Sequence, residues 1–168
     1  MLWFSLGTLN IFLKMDKQDK ALLTLLQTDS KRTNKELAHH LGLSTTAVFE
    51  RIKRLERKGV ISKYVALVDR KQVNRSFMVL CHVRLIQHTK KNVLQFEREV
   101  QKLDEVSECF HTSGDYDYIL KISVTDMDAY RQFMIGKLTA IKNIGSTQSA
   151  FVINEVKNST AILLETLT

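Results

Sequence analysis

Residues 33–58 read TNKELAHHLGLSTTAVFERIKRLERK, and this stretch decides the fold of the first part of the chain. Thr33 and Glu36 form the S/T-x-x-E pattern, in which a hydroxyl accepts a first-turn amide while the carboxylate reaches back to the cap residue's own amide. A helix is predicted to start there. Leu37, Ala38 and Leu41 give it one apolar stripe, and Gly42 stands where a left-handed residue lets the backbone turn sharply. Leu43 fills the gap between two helices, and Ser44 is a second N-cap. Val48, Ile52 and Leu55 then follow at i, i+4 and i+7, so the second helix buries one side and exposes Thr45, Thr46, Glu50, Arg51, Lys53, Arg54 and Arg57. Two short helices joined at a glycine, the second with a basic face, have the layout of a helix-turn-helix with its recognition helix.

That layout suits double-stranded DNA because hydroxyls and guanidinium groups at a helix start can bond phosphates and base edges together. The candidate contacts are Thr33, Ser44, Thr45, Thr46, Glu50, Arg51, Lys53, Arg54 and Arg57. Phe49 offers an apolar surface to a thymine methyl or to a neighbouring helix. Basic amphipathic helices are often only solvated faces, so the distribution of charge decides between the two readings. Over the whole chain the formal net charge is +7, but residues 14–75 hold 15 Lys/Arg against 7 Asp/Glu while residues 76–168 hold 10 against 11. All the excess positive charge lies in the half with the helix pair, which favours nucleic acid as its partner and another task for the second half.

A chain of 168 residues with 44% hydrophobic residues can build one ordinary domain or two small ones. Cys81 and Cys109 lie in apolar runs without C-x-x-C spacing, so they read as reduced residues of a cytoplasmic protein, with no metal site or disulfide framework expected. Residues 1–14, MLWFSLGTLNIFLK, are apolar but lack the basic start and cleavage pattern of a signal peptide, and are shorter than the roughly 20 residues that span a bilayer. They read as an N-terminal extension, and no membrane association is expected.

Residues 15–62 form the predicted helix-turn-helix domain, with a first helix from Asp16 whose Leu22, Leu23, Leu25 and Leu26 cover the other two. Gly59 closes the third helix after Arg57 and Lys58. Residues 63–76 hold the β-prone run Lys63 to Val68 and a polar, basic connection. From 77 to 168 the order reads βαββαβ: a strand from Phe77 to Leu85, a helical stripe of Val93, Phe96, Val100 and Leu103, strands Val106 to Thr112 and Tyr118 to Val124 joined by SGDYD, a second helix capped by Thr125 and Asp128, and a last strand from Ser149 to Val156. The expected fold class is α+β, a three-helix domain followed by a ferredoxin-like domain with both helices on one sheet face. The uncovered face asks for a partner, most simply a second copy.

Taken in order, these residues resemble the leucine-responsive and asparagine-responsive (Lrp/AsnC) transcription regulators. Asp16 and Asp19 match the opening acidic pattern, and Asn34, Glu36, Leu37, Ala38, Gly42 and Leu43 the first helix and turn. Ser44, Val48, Arg51, Ile52, Arg54, Leu55 and Glu56, closed by Gly59-Val60-Ile61, match the recognition helix, while Gly114 to Tyr118 and Val152, Glu155, Val156 and Lys157 match the second half. The resemblance implies a sequence-specific, nucleoid-associated DNA-binding regulator, dimeric through its second domain and assembled to tetramers or octamers. It further implies that an amino acid or related small molecule binds at Ser113, Gly114, Asp115, Tyr116, Asp117, Thr147 and Ser149. Thr45, Ala47 and Glu50 depart from the family's usual residues, so no operator sequence is inherited.

Two other functions fit parts of the pattern. An architectural protein that wraps DNA without an effector shares the basic half, and the two-domain layout is also similar to siroheme decarboxylases, with His82, Cys109 and His111 as candidate groups. The charge asymmetry and the alternation of Cys81 and His82 across a strand favour no catalytic residues and no cofactor.

Overall fold

The computed structural model describes residues 15–164, so the extension at residues 1–14 lies outside the described residues. Three helices come first: α1 (Lys17–Thr28), α2 (Asn34–Leu41) and α3 (Thr45–Arg57). Each starts where a short polar side chain takes up a first-turn amide, with Asp16 accepting from Asp19 N, Thr33 from Glu36 N and Ser44 from Ala47 N. Gly42 is left-handed at φ 63° and ψ 34°, and the next amide, Leu43 N, donates back to Ala38 O at 3.0 Å. Leu22, Leu37 and Val48 are fully buried and Leu55 nearly so, which joins the three helices around one small core. Truncating any of these leucines to alanine removes buried methyl groups and leaves a cavity, a cost of about 2–5 kcal/mol.

The second part runs β1 (Phe77–Leu85), α4 (Lys90–Val100), β2 (Val106–His111), β3 (Tyr118–Val124), α5 (Met127–Phe133) and β4 (Ile144–Phe151). The four strands form one antiparallel sheet in the order β2-β3-β1-β4, the ferredoxin-like arrangement of an α+β domain. Val79, Cys81 and Val83 of β1, with Tyr118, Leu120 and Ile122 of β3, are buried among Phe96, Val100, Tyr130, Phe133 and Leu138. The alternate positions Leu80, His82 and Arg84 face the other side and stay half-buried or exposed.

Several details differ from the sequence expectation. The run 63–68 forms no strand: Tyr64, Val65, Leu67 and Val68 are exposed, since β propensity needs a neighbouring strand to bond to. Asp126, rather than Thr125 with Asp128, caps α5 by accepting from Ala129 N at 2.8 Å. The helix then continues as a π turn over Met134–Leu138, so the expected helical stripe of Tyr130, Phe133, Met134, Leu138 and Ile141 is not a continuous α period. The last strand lies earlier than Ser149 to Val156, because Ile144–Phe151 pairs with β1 and the apolar Ile153 and Val156 beyond it are almost wholly exposed.

The chain divides into two compact units, one of residues 15–66 with 157–164 and one of Leu67–Val156. The tail joins the helical unit through Gln27, whose side-chain amide donates to Ile162 O at 3.0 Å and accepts from Ile162 N at 2.7 Å.

Candidate nucleic-acid interface and effector region

In the helical unit, the capping box at Thr33 is complete. Glu36 Oε2 accepts from Thr33 N at 2.7 Å and from the Thr33 hydroxyl at 2.9 Å, and Thr33 Oγ1 accepts from Glu36 N at 3.2 Å. The Thr33 amide and hydroxyl together hold the Glu36 carboxyl below the usual carboxylate range. Ser44 Oγ accepts from Ala47 N at 3.1 Å, so the hydroxyls of both cap residues build helix starts.

Arg51 and Arg54 have partners that sequence reasoning did not assign. Arg51 Nη1 donates to Asp16 Oδ2 at 2.6 Å and to Asp19 Oδ1 at 2.7 Å, and Arg54 Nη2 donates to both Asp19 oxygens at 2.6 and 2.7 Å. Asp19 is only 2% exposed, a charge that burial permits because two guanidinium groups meet it. Bonds from Asp16 and Asp19 push the Arg51 guanidinium up further. At Asp16 burial works to raise the carboxyl, but Arg51 and the Asp19 amide outweigh it and hold it low. These ion pairs fasten the start of α1 to α3, giving both arginines a folding role whatever they do at DNA. A signal for the pairing was present in the spacing: two carboxylates three residues apart match two arginines three residues apart.

Thr45, Thr46, Phe49, Glu50, Lys53 and Arg57 are exposed on α3. Lys53 Nζ bonds Glu56 Oε2 at 3.0 Å and lies 5.8 Å from the centre of the Phe49 ring. Tyr64 donates to the other Glu56 oxygen at 3.1 Å. The outward face of α3 thus offers hydroxyls, one aromatic ring, one carboxylate and the cations Lys53 and Arg57.

In the sheet unit, the hairpin between β2 and β3 is closed by Thr112, which donates through its amide to Asp117 O at 2.8 Å and through its hydroxyl to Tyr116 O at 3.0 Å. Gly114 at φ 119° supplies a conformation that L side chains rarely adopt. Asp117 is committed to the fold: its Oδ2 accepts from Leu85 N at 2.7 Å and its Oδ1 lies 2.8 Å from His88 Nε2. Burial acts to raise its carboxyl, yet the Leu85 amide and His88 hold it below the usual range. Arg84 Nε donates to Asp115 O at 2.6 Å, and its guanidinium lies 5.5 Å from the Tyr116 ring, against which His82 also packs edge-on. Ser113, Gly114 and Asp115 are exposed, and among the described residues no hydrogen bond uses the Asp115 carboxylate.

Thr147 pairs with Val83 of β1, which on its other side pairs with Tyr118 beside the hairpin, so Thr147 is level with the hairpin base about 10 Å away across β1. Ser149 sits two residues deeper, its Oγ 2.5 Å from the Tyr130 hydroxyl, and burial pushes that phenol up to about 12. The fold therefore gathers Ser113 to Asp117 and Thr147 at one end of the sheet and ties Ser149 into the helix-facing side.

Beside the hairpin, a cleft of about 480 Å³ is lined by Glu97, Gln101, Ser107, Cys109, His111 and Tyr118. Tyr118 donates to Glu97 Oε1 at 3.0 Å and stacks on His111 with ring centres 4.6 Å apart. Burial and the Glu97 charge push the Cys109 thiol up, which keeps it protonated and weakly nucleophilic. His82 and Cys81 point to opposite sheet faces, as their alternation predicts. Among the described residues no cluster of three or more His, Cys, Asp or Glu is placed to hold a metal, and no helix is long and apolar enough to cross a membrane.

Comparisons with known proteins match these two units separately. Residues 15–62 match the model of a winged helix-turn-helix DNA-binding domain, and residues 78–162 match the Lrp/AsnC ligand binding domain. The leucine-responsive regulatory proteins of Escherichia coli K12 and Salmonella typhimurium are each 38% identical over 152 residues, covering 90% of this chain and 93% of theirs. A transcriptional regulator of Neisseria meningitidis, solved as a complex with L-Met, is 32% identical with a TM-score of 0.86, covering 90% of this chain and 97% of that one. An AsnC family transcriptional regulator of Agrobacterium tumefaciens is 36% identical, also at 0.86, covering 89% of this chain and 97% of that one.

Proposed function

Because the chain belongs to the Lrp/AsnC family of transcription regulators, with a DNA-binding helix-turn-helix and a ligand-binding domain, we propose that it is a cytoplasmic, nucleoid-associated regulator whose α3 reads operator DNA and whose sheet unit responds to an amino acid. The observation that carries the DNA half is α3 itself. A helix capped by Ser44 presents Thr45, Thr46, Glu50, Lys53 and Arg57 from the half of the chain that holds all the excess positive charge. Hydroxyls near its start bond phosphates and base edges, and Lys53 and Arg57 meet phosphates, with Arg51 and Arg54 reaching DNA only through donors that Asp16 and Asp19 leave over.

For the effector half, the support is the exposed Asp115 carboxylate beside the amides of Ser113 and Gly114, with the Thr147 hydroxyl level with the hairpin base. A carboxylate suits an α-ammonium group, and amides and hydroxyls suit an α-carboxylate. That a relative binds L-methionine makes an amino acid the natural ligand class. Asp117, held by Leu85 and His88, keeps the hairpin in shape, and Ser149 acts through Tyr130.

The chain acts as a homodimer, assembling to tetramers or octamers. Support comes from the sheet face turned away from α4 and α5, where Leu80 and Ile119 are half-buried and Phe110 is 51% exposed. Its role is binding rather than catalysis. A thermal-shift screen of the twenty amino acids against the full chain tests the effector half: one or a few should raise the melting temperature by stabilising the native state. A flat response across all of them rejects an amino-acid effector and favours a DNA-wrapping protein without one.

A further inference from the structure

We propose that Phe49 is a sequence-reading residue whose ring packs on the C5-methyl group of a thymine in the major groove. The proposal rests on the DNA-binding reading of α3 and adds which chemistry that helix reads. A single exposed apolar side chain needs no explanation by itself. The surroundings of Phe49 supply one.

The apolar residues that build α3 into the domain are Val48, Ile52 and Leu55, and Phe49 is absent from that cluster at 44% exposure. Its neighbours one turn away on either side are Thr45 and Lys53, a hydroxyl and a cation of the kinds that meet phosphates. The Lys53 ammonium, 5.8 Å from the ring centre, is close enough for a cation–π contact that favours the ring staying on the outward side.

On another side of the helix, Arg51 and Arg54 are drawn to Asp16 and Asp19. An arginine is the usual means of reading guanine, through two donors of one guanidinium, and in both of these residues donors are engaged within the protein. Base reading near the start of α3 is left to Thr46, Phe49 and Glu50. Only Phe49 lacks a hydrogen-bonding atom on its side chain, and in the major groove only thymine presents an apolar group, its methyl. A site read by this helix therefore carries a required thymine in each half.

The test begins with selection of bound duplexes from a randomised library by the full-length wild-type protein. Each thymine of the selected site is then replaced in turn by deoxyuridine, which lacks only the methyl, and binding is measured for wild type and Phe49→Ala. At one thymine per half-site, wild type should lose about fourfold in affinity, the value expected for one buried methyl, and Phe49→Ala should lose nothing further. If Phe49→Ala binds too weakly to measure, Phe49→Leu takes its place and should show a reduced deoxyuridine penalty. Equal penalties in wild type and variant, or no thymine that responds, overturn the proposal. Site-selective binding by wild type that ignores every methyl overturns the role of Phe49 alone, whereas failure to bind any duplex overturns the DNA reading as well.

Discussion

Asp19 in the helical unit and Asp117 in the sheet unit are both carboxylates held by partners within their own unit, and the two are held differently. Asp19, with a side chain 3% exposed, bridges α1 to two arginines of α3 that lie more than thirty residues away. Asp117, 18% exposed, is held by the amide of Leu85 and by His88 across a hairpin base. In both places charged residues that look suited to a ligand are engaged within the protein, and on the proposed reading the residues left to meet the ligand are their neighbours. In the helical unit these are Thr45, Thr46, Phe49, Glu50, Lys53 and Arg57; in the sheet unit they are Asp115 and the hairpin amides.

The contrast can be broken most severely at Asp19. Asp19→Ala leaves two guanidinium groups without their shared partner, and should destabilise the helical unit by about 2–3 kcal/mol, below the range for a fully buried pair because Arg54 is 37% exposed. Chemical denaturation followed by circular dichroism measures it. A loss under about 0.5 kcal/mol, typical of a surface change, would mean that the bridge is a surface pair. Asp117→Asn should cost less, about 1 kcal/mol, because a neutral amide oxygen still accepts from Leu85.

The same pair of units separates by pH. Both Asp16 and Asp117 have carboxyls lowered from 3.8 in the folded chain, so their contribution to stability is full above that value and disappears as pH falls below it through the depressed folded values. Melting temperature should therefore hold steady down to about pH 5 and then fall, less steeply for Asp117→Asn than for wild type. An acid slope that is identical in the two proteins removes Asp117 from the account. The smallest expected effect is at the turn: Ser44→Ala loses one exposed cap bond and should cost about 0.5 kcal/mol, the low end for an N-cap, in the same denaturation assay, without altering the response to amino acids.

What was legible in the sequence follows the range over which the forces act. The caps at Thr33 and Ser44 and the turn at Gly42 depend on residues within four positions of one another, and the helix starts fall where those residues stand. The alternation of β1 likewise shows its buried face in residue types alone. By contrast, the Asp19 bridge joins residues far apart in sequence, and the matched spacing of Asp16 and Asp19 with Arg51 and Arg54 does not by itself say that they pair until α1 is folded beside α3. Apolar Val152 and Val156 draw the last strand too far along the chain, whereas its pairing runs through Ser146, Thr147 and Gln148, with the register shifting at Gly145, and the backbone bonds of these residues to β1 carry no sequence pattern. The hairpin at Ser113 to Asp117 is visible as a turn, but the division of labour between Asp115 and Asp117 depends on Leu85 and His88.

On the proposed reading the exposed cations of α3, and not the bridged arginines alone, carry the protein onto DNA. Its most direct test is a salt titration of duplex binding by fluorescence anisotropy for wild type and for the double variant Lys53→Gln, Arg57→Gln. Wild-type affinity should fall steeply, about a thousandfold between roughly 50 and 200 mM salt if some six phosphates are neutralised per dimer. The variant's slope should be shallower by about one unit for each phosphate it leaves unneutralised. Binding that ignores salt, or a slope unchanged by removing both cations, would contradict that reading.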